Sequence, residues 1–142
     1  MSDFNTSLIE QIRAGGGRLS DGPFAGRQVL ILTTIGAKSG EPREAPLVYT
    51  RDGNDIVIVA SMGGAPRNPA WYHNIVANPR VTIEVDGTKV QADARIAEGD
   101  ERRRLYDRHA ALHESFADYE ARTGGRVIPV IVLQGVRATA AA

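Results

Sequence analysis

Runs of β-branched and aliphatic residues, separated by short turn signals, constrain the fold of this chain more than any other feature. Val29–Leu32 and the predicted strand Asp55–Ser61 are almost unbroken apolar runs, as in strands that are buried on both faces. Asp52-Gly53-Asn54 and Asp86-Gly87 are hairpin signals, because glycine and asparagine tolerate a positive φ. The first half of the chain therefore reads as a β-meander.

The full pattern predicts a mainly β (α+β) domain with six strands and peripheral helices. The predicted strands are Arg27–Thr34, Glu44–Arg51, Asp55–Ser61, Val81–Val85, Thr88–Ala97 and Arg126–Gln134. The predicted helices are Asp3–Arg13, Pro69–Ala77 with Asn68 as its N-cap, Asp100–Leu112 and Ser115–Arg122. Pro129 cannot donate a ladder hydrogen bond, so we expect it at an edge or a bulge. An antiparallel sheet of this size avoids open edges best by closing into a barrel.

Length and composition narrow the class of protein. The chain has 142 residues and a formal net charge of zero, which favours one domain and argues against a nucleic-acid binder. It contains no cysteine, so thiolate chemistry and thiolate metal sites are excluded. We see no signal peptide and no apolar run near the ~20 residues of a membrane helix. We expect a cytoplasmic protein, with a barrel domain over residues 26–136 and a disordered tail over residues 137–142.

The N-terminal residues 1–25 combine an apolar helical stripe with a glycine-rich linker. The stripe consists of Phe4, Leu8, Ile9 and Ile12, and Gly15-Gly16-Gly17 follows it. One interpretation is a terminal helix packed on the domain. The other is a mobile flap that covers a site or touches the inner face of a membrane.

Two glycine-containing loops, each after a buried strand, are the candidate binding elements. The first carries Lys38 and Arg43, and the second, Ser61–Arg67, leads into the helix that contains Trp71. Exposed backbone N–H groups, nearby cations and a helix N-terminus all suit an anionic ligand. With the aromatic side chains nearby, they suggest a flat, phosphorylated cofactor or nucleotide. An ordinary hairpin loop, a plain strand-to-helix connection and core packing explain the same residues.

Other catalytic patterns are weak or absent in the sequence. There is no G-x-S-x-G elbow, no H-E-x-x-H and no Walker A loop. His109 and His113 lie one helical turn apart and could share a metal ion, but spacing offers no third ligand. A structural role for these histidines is the favoured alternative.

An ordered set of motifs resembles the deazaflavin-dependent nitroreductase family, which is typical of mycobacteria and related actinobacteria. The motifs are Thr33–Arg43, Pro46–Tyr49, Ser61–Gly64, Asn68–Asn74, Ala77–Pro79, Asp118-Tyr119, Arg122-Thr123 and Ile128–Val130. The likeness covers roughly residues 26–134. It implies a split β-barrel of the FMN-binding type that binds coenzyme F420.

The resemblance also implies an activity and a set of site residues. Family members use the reduced coenzyme, F420H2, to transfer hydride to quinones, enones, coumarin-type lactones such as aflatoxins, or nitroimidazoles. Lys38 and Arg43 would meet the phosphate and acidic tail, and Trp71 would lie near the ring. The full cofactor set carried over is Ala37, Lys38, Ser39, Arg43, Glu44, Ala45, Pro46, Leu47, Val48, Tyr49, Val59, Ala60, Ser61, Met62, Ala70, Trp71, Tyr72, His73 and Asn74.

This chain departs from the family pattern at three positions. Met62 replaces a lysine after the serine of the second loop, and Phe116 and His113 replace tyrosines. Nitroimidazole activation is therefore disfavoured, while reduction of C=C bonds and quinones remains plausible. Tyr119, His113 or water would supply the proton, and Phe116 with the N-terminal stripe would shape an apolar substrate pocket. The alternative is a non-catalytic protein that binds F420, FMN or haem. For either function we expect a monomer or a homodimer.

Overall fold

Seven antiparallel strands form one sheet in the computed structural model, which describes residues 9–14, 29–61, 68–85, 87–113, 115–123 and 127–138. The strands are β1 (Val29–Ile35), β2 (Pro42–Val48), β3 (Thr50–Asp52), β4 (Asp55–Val59), β5 (Arg80–Val85), β6 (Thr88–Ile96) and β7 (Val130–Ala138). The predicted glycine linker, the stripe residues Phe4 and Leu8, and Met62 lie outside the described residues.

The prediction of six strands is wrong because one predicted strand, Glu44–Arg51, changes partners at Tyr49. Its first part is β2, which pairs with β1, and its second part is β3, which pairs with β4. The strand order is β2-β1-β5-β6-β7-β4-β3, so the two outermost strands are joined through Tyr49 alone. The sheet therefore curls, because its first and last strands are consecutive in the chain. A change of partner leaves the hydrophobic pattern of the strand unaltered, so the sequence does not reveal it.

Both faces of the sheet are covered by packed side chains, and alternate residues of β1 belong to the two buried clusters. Val29 and Ile31 belong to one buried cluster, while Leu30 and Leu32 belong to the other. This confirms the interpretation of the unbroken apolar run as a strand buried on both faces. On β6, Val90, Ala92, Ala94 and Ile96 contact the second cluster, in line with the predicted period of two.

Four helical segments flank the sheet. They are α1 (residues 9–14), α2 (Ala70–Ala77), α3 (Gly99–Leu112) and α4 (Ser115–Arg122). Ile9 and Ile12 of α1 are buried in the same cluster as Val29 and Ile31. The described part of the N-terminal helix is thus packed on the domain. No described helix is long and apolar enough to cross a membrane.

Three predictions about where helices and strands begin or end need correction. Pro69, not Asn68, is the N-cap residue of α2, and it accepts a hydrogen bond from Tyr72 N. Pro129 stands just before the central strand β7, where its missing N–H costs no ladder bond. Strand β7 continues to Ala138, into the predicted tail, because its last residues pair with β6.

Candidate functional site

A cleft of about 820 Å3 opens between the β1–β2 hairpin, the edge strand β2 and helix α2. It is lined by Gly36, Ala37, Lys38, Ser39, Arg43, Glu44, Ala45, Ala70, Trp71, His73 and Asn74. The loop that carries Lys38 and the helix that contains Trp71, which the sequence offered as separate signals, therefore line one space. Of these lining residues, only Gly36 is missing from the predicted set.

The hairpin loop is closed by its own hydrogen bonds. Gly36 N donates to Glu41 O at 2.8 Å, Gly40 N donates to Gly36 O at 2.9 Å, and Glu41 N donates to Ser39 Oγ at 3.2 Å. Gly40 has a φ of 72°, which favours glycine. A Cβ at Gly36 would clash with Ser39 Oγ and lie 3.3 Å from the carbonyl oxygen of Glu41. The loop is a compact hairpin, and most of its N–H groups are already used.

Asn74 joins the hairpin to helix α2. Its Oδ1 accepts a hydrogen bond from Ala37 N at 2.9 Å, and its Nδ2 donates to Thr34 Oγ1 at 3.0 Å. Asn74 and Thr34 are both buried. Because the two bonds run to β1 and to the loop that follows it, Asn74 fixes the distance between the two walls of the cleft. With Ala37 N bonded to Asn74, this N–H group of the predicted anion-binding loop is already engaged.

Positive side chains give the cleft its charge. Among the described residues, no carboxylate lies within ion-pair distance of Lys38 or Arg43. Arg43 Nη2 donates a hydrogen bond to Ser39 Oγ at 3.5 Å. Glu44, by contrast, is paired with Arg13. Among the described residues that line the cleft, the charge left without a partner is therefore positive, and these side chains attract an anion.

The pleat of β2 divides the predicted run Glu44–Tyr49. Arg43, Ala45 and Leu47 lie opposite Thr34, Leu32 and Leu30 of β1, whose side chains face α2. The other face of β2 carries Glu44, Pro46 and Val48. Glu44 nevertheless lines the cleft, because β2 is an edge strand.

Several predicted binding residues are core residues instead of lining residues. Val48, Tyr49, Val59, Ala60 and Ser61 are buried, and Leu47 and Tyr72 pack against the core cluster that also contacts Trp71. Tyr72 makes an edge-to-face contact with His73, with the ring centroids 5.5 Å apart. Val48 and Val59 belong to the core cluster on the other face of the sheet, while Tyr49 and Ala60 belong to the cluster that Trp71 contacts.

The three predicted catalytic residues form a separate aromatic cluster. Phe116 lies 4.9 Å from Tyr119 and 6.1 Å from His113 between ring centroids. His113 and Phe116 are buried, and His113 Nε2 lies 3.2 Å from Tyr49 O. None of the three is among the described residues that line the cleft. Phe116 shares its core cluster with Ile9 and Ile12, so the predicted apolar partners do lie together.

His109 is fully buried beside this cluster. Its Nδ1 lies 3.3 Å from Thr50 Oγ1, and its ring centroid lies 4.5 Å from that of Phe116. Burial, and secondarily the neighbouring His113, lower the pKa of His109 from 6.5 to about 3. The imidazole is therefore neutral at physiological pH. The described residues contain no group of three His, Cys, Asp or Glu that could hold a metal ion.

A curled antiparallel sheet with a cationic cleft beside a tryptophan defines a split-barrel class of protein whose cleft suits an anionic ligand. Comparison with known proteins identifies the family. A family model described as F420H(2)-dependent quinone reductase matches residues 7–135. An F420H(2)-dependent quinone reductase of Mycobacterium tuberculosis is 41% identical over 110 residues, which cover 73% of this chain and 71% of that protein. The chain belongs to the F420H(2)-dependent quinone reductase family.

Two solved structures extend the comparison to the fold. An F420-H2 dependent reductase of type FDR-A has a TM-score of 0.69 at 34% identity, covering 75% of this chain and 93% of its own. A chain described as a domain-swapped dimer has a TM-score of 0.71 at 32% identity, covering 94% and 98%. These findings confirm the resemblance drawn from the motifs, the oxidoreductase class and the coenzyme F420H2.

Proposed function

We propose that the protein transfers hydride from F420H2 to quinones and activated C=C bonds, with the coenzyme's anionic arm held by Lys38 and Arg43. The observation that carries this proposal is the cleft itself, which holds Trp71 together with two cations that have no carboxylate partner in the described part of the chain. An anionic ligand that enters has no internal ion pair to break, so the whole charge-assisted interaction is available for binding.

The residues of the cleft bind and orient, and the coenzyme supplies the hydride. Asn74 and the closed hairpin hold the backbone of the cation-bearing loop at a fixed distance from α2. The loop therefore loses little conformational entropy when a ligand binds. Trp71, which also packs against the core, offers a rigid apolar surface for a flat ring. Holding two flat reactants in register is the main contribution expected of such a site.

Reduction of a quinone also needs a proton, so that hydride and proton together give the hydroquinone while the coenzyme is oxidised. Tyr119 is a better donor candidate than His113, because Tyr119 is only partly buried and His113 is buried against Tyr49 O. Phe116 has no proton to give and would contribute an apolar surface. Water is the alternative donor.

Flat, apolar electrophiles fit this chemistry best: menaquinone-like quinones, enones and coumarin-type lactones, aflatoxins included. We place the protein in the cytoplasm. Ile9 and Ile12 are buried in the core, so contact with a membrane face would have to use other residues of the N-terminal segment. Because a relative is described as a domain-swapped dimer, a homodimer is the assembly to test against the monomer.

Fluorescence titration with F420 tests the binding half of the proposal. Lys38→Ala should raise the Kd by about 5- to 30-fold, the factor lost with one charge-assisted bond of ~1–2 kcal/mol. Lys89→Ala removes the same charge from an exposed position on β6 outside the cleft and should leave the Kd unchanged. Absence of binding by the wild type, or equal Kd values for wild type and Lys38→Ala, would contradict the proposal.

Oxidation of F420H2 tests the catalytic half. Menadione added to protein and reduced coenzyme should accelerate the loss of F420H2 absorbance over the protein-free reaction. If the protein binds F420 but the rate does not change with menadione or with coumarin, it is a carrier of the coenzyme and the proposed reaction is wrong.

A further inference from the structure

Arg13, at the described end of the N-terminal helix, binds two carboxylates at once. Its Nη2 lies 2.5 Å from Glu84 Oε2 and 2.5 Å from Glu44 Oε2, and its Nε donates to Glu84 Oε1 at 3.0 Å. Glu84 is on β5 and Glu44 is on β2, the two neighbours of β1 in the sheet. Arg13 therefore spans β1 and ties α1 to the two strands on either side of it.

The two carboxylates have different surroundings. The side chain of Glu84 is only 14% exposed, and the hydrogen bond from Arg13 lowers its pKa. Glu44 is 40% exposed and lines the cleft beside Lys38 and Arg43. Glu84 alone would suffice to dock the helix, since it receives both Nε and Nη2 of Arg13. The bond to Glu44 neutralises the carboxylate that the anionic arm of the coenzyme would otherwise meet.

We propose that Arg13 is a positioning residue of the coenzyme cleft, which masks the charge of Glu44 when the N-terminal helix is docked. This inference rests on the proposed function, because it needs an anion in the cleft. A docked helix leaves the cleft more positive, so coenzyme binds the docked form more tightly. By linkage, bound coenzyme must stabilise the docked helix by the same factor.

Charge variants separate this role from simple packing. Arg13→Gln should raise the Kd for F420 by about two- to fivefold, the effect of one part-exposed charge pair. In the double variant Arg13→Gln/Glu44→Gln the Kd should return to near the wild-type value, because no carboxylate is left to unmask. A purely structural role of Arg13 would give no such rescue.

Two further variants serve as controls. Glu84→Gln weakens docking, but the molecules that stay docked keep the Arg13–Glu44 pair, so it should raise the Kd less than Arg13→Gln does. Arg80→Gln breaks an exposed pair with Asp93, outside the lining of the cleft, and should leave the Kd unchanged. Thermal unfolding of each variant reports the loss of stability separately from the Kd.

Reciprocity gives a test that needs no substitution at Arg13. Saturating F420 should slow amide hydrogen exchange in residues 9–14 of the wild type, and should slow it less in Glu44→Gln. The inference is overturned if exchange in this segment is unaffected by F420, or if Glu44→Gln does not restore affinity to Arg13→Gln. If Lys38→Ala weakens binding while Arg13→Gln does not, this inference fails alone; if neither the wild type nor its variants bind, the proposed function fails.

Discussion

Asn74→Ala tests whether the two walls of the cleft are held together by one side chain. The substitution removes both hydrogen bonds, to Ala37 N and to Thr34 Oγ1, and leaves the fully buried Thr34 hydroxyl without its partner. Each bond is worth about 1 kcal/mol, and a buried group left unpaired adds about 1 kcal/mol more. The free energy of unfolding should therefore fall by about 2–3 kcal/mol. At about 4 °C per kcal/mol for a domain of this size, the Tm should fall by about 8–12 °C.

Thermal unfolding and F420 titration together decide this prediction. Asn78→Ala is the matched control, since it makes the same change on the exposed residue that caps α2 and should lower the Tm much less. Thr34→Val deletes one of the two bonds and should cost about 1 kcal/mol. In the double variant the shared bond is lost only once, so the two effects should not add. Equal Tm values for the Asn74 and Asn78 variants, or full additivity, would refute the bridging role.

Two shorter predictions follow from the same structure. Gly36→Ala should destabilise the hairpin by about 1–3 kcal/mol through overpacking, and Gly36→Ala/Ser39→Ala should recover part of the loss, because Ser39 Oγ is the atom that a Cβ would strike; equal denaturant midpoints for wild type and Gly36→Ala would contradict this. His109 binds a proton more weakly in the folded state, where its pKa is about 3, than in the unfolded state, where it is 6.5. Its contribution to stability is therefore complete above about pH 6.5 and declines as the pH falls toward about 3, by at most ~1.4 kcal/mol per pH unit. Urea unfolding at several pH values should show a flatter pH dependence for His109→Gln, and an unchanged slope would disprove the assignment.

Local chemistry allowed much of the site to be predicted from the sequence. The cations Lys38 and Arg43 and the aromatic Trp71 were visible as residue types, and the ordered motifs identified the family and the coenzyme. The lining residues of the cleft agree with the predicted set except for Gly36, whose role depends on the approach of Ser39 and Glu41 across the loop. No pattern in the sequence marks such an approach.

The sequence could not predict where the proposed catalytic residues lie relative to the cleft. His113, Phe116 and Tyr119 were assigned by resemblance, and the structure places them in an aromatic cluster with His109, apart from the lining of the cleft. Phe116 and Tyr119 lie one turn apart on α4, and His113 is the C-cap residue of α3, so the local sequence already places these side chains near one another. It could not show which sheet face these side chains would cover, because that depends on contacts far apart in the chain.

By itself, the sequence determined the elements and most of the chemistry. Unbroken β-branched runs fixed strands buried on both faces, and glycine-containing turns fixed where the strands end, because both follow from interactions within a few residues. The tertiary structure alone decided which strands pair, how the chain changes partners at Tyr49, and which side of β2 faces the cleft. It also decided that Asn74 bridges the walls and that Arg13 masks Glu44 across β1. The Asn74 bonds and the Arg13–Glu44 pair join residues from 31 to 40 positions apart, and contacts over such separations are set by packing that no local pattern encodes.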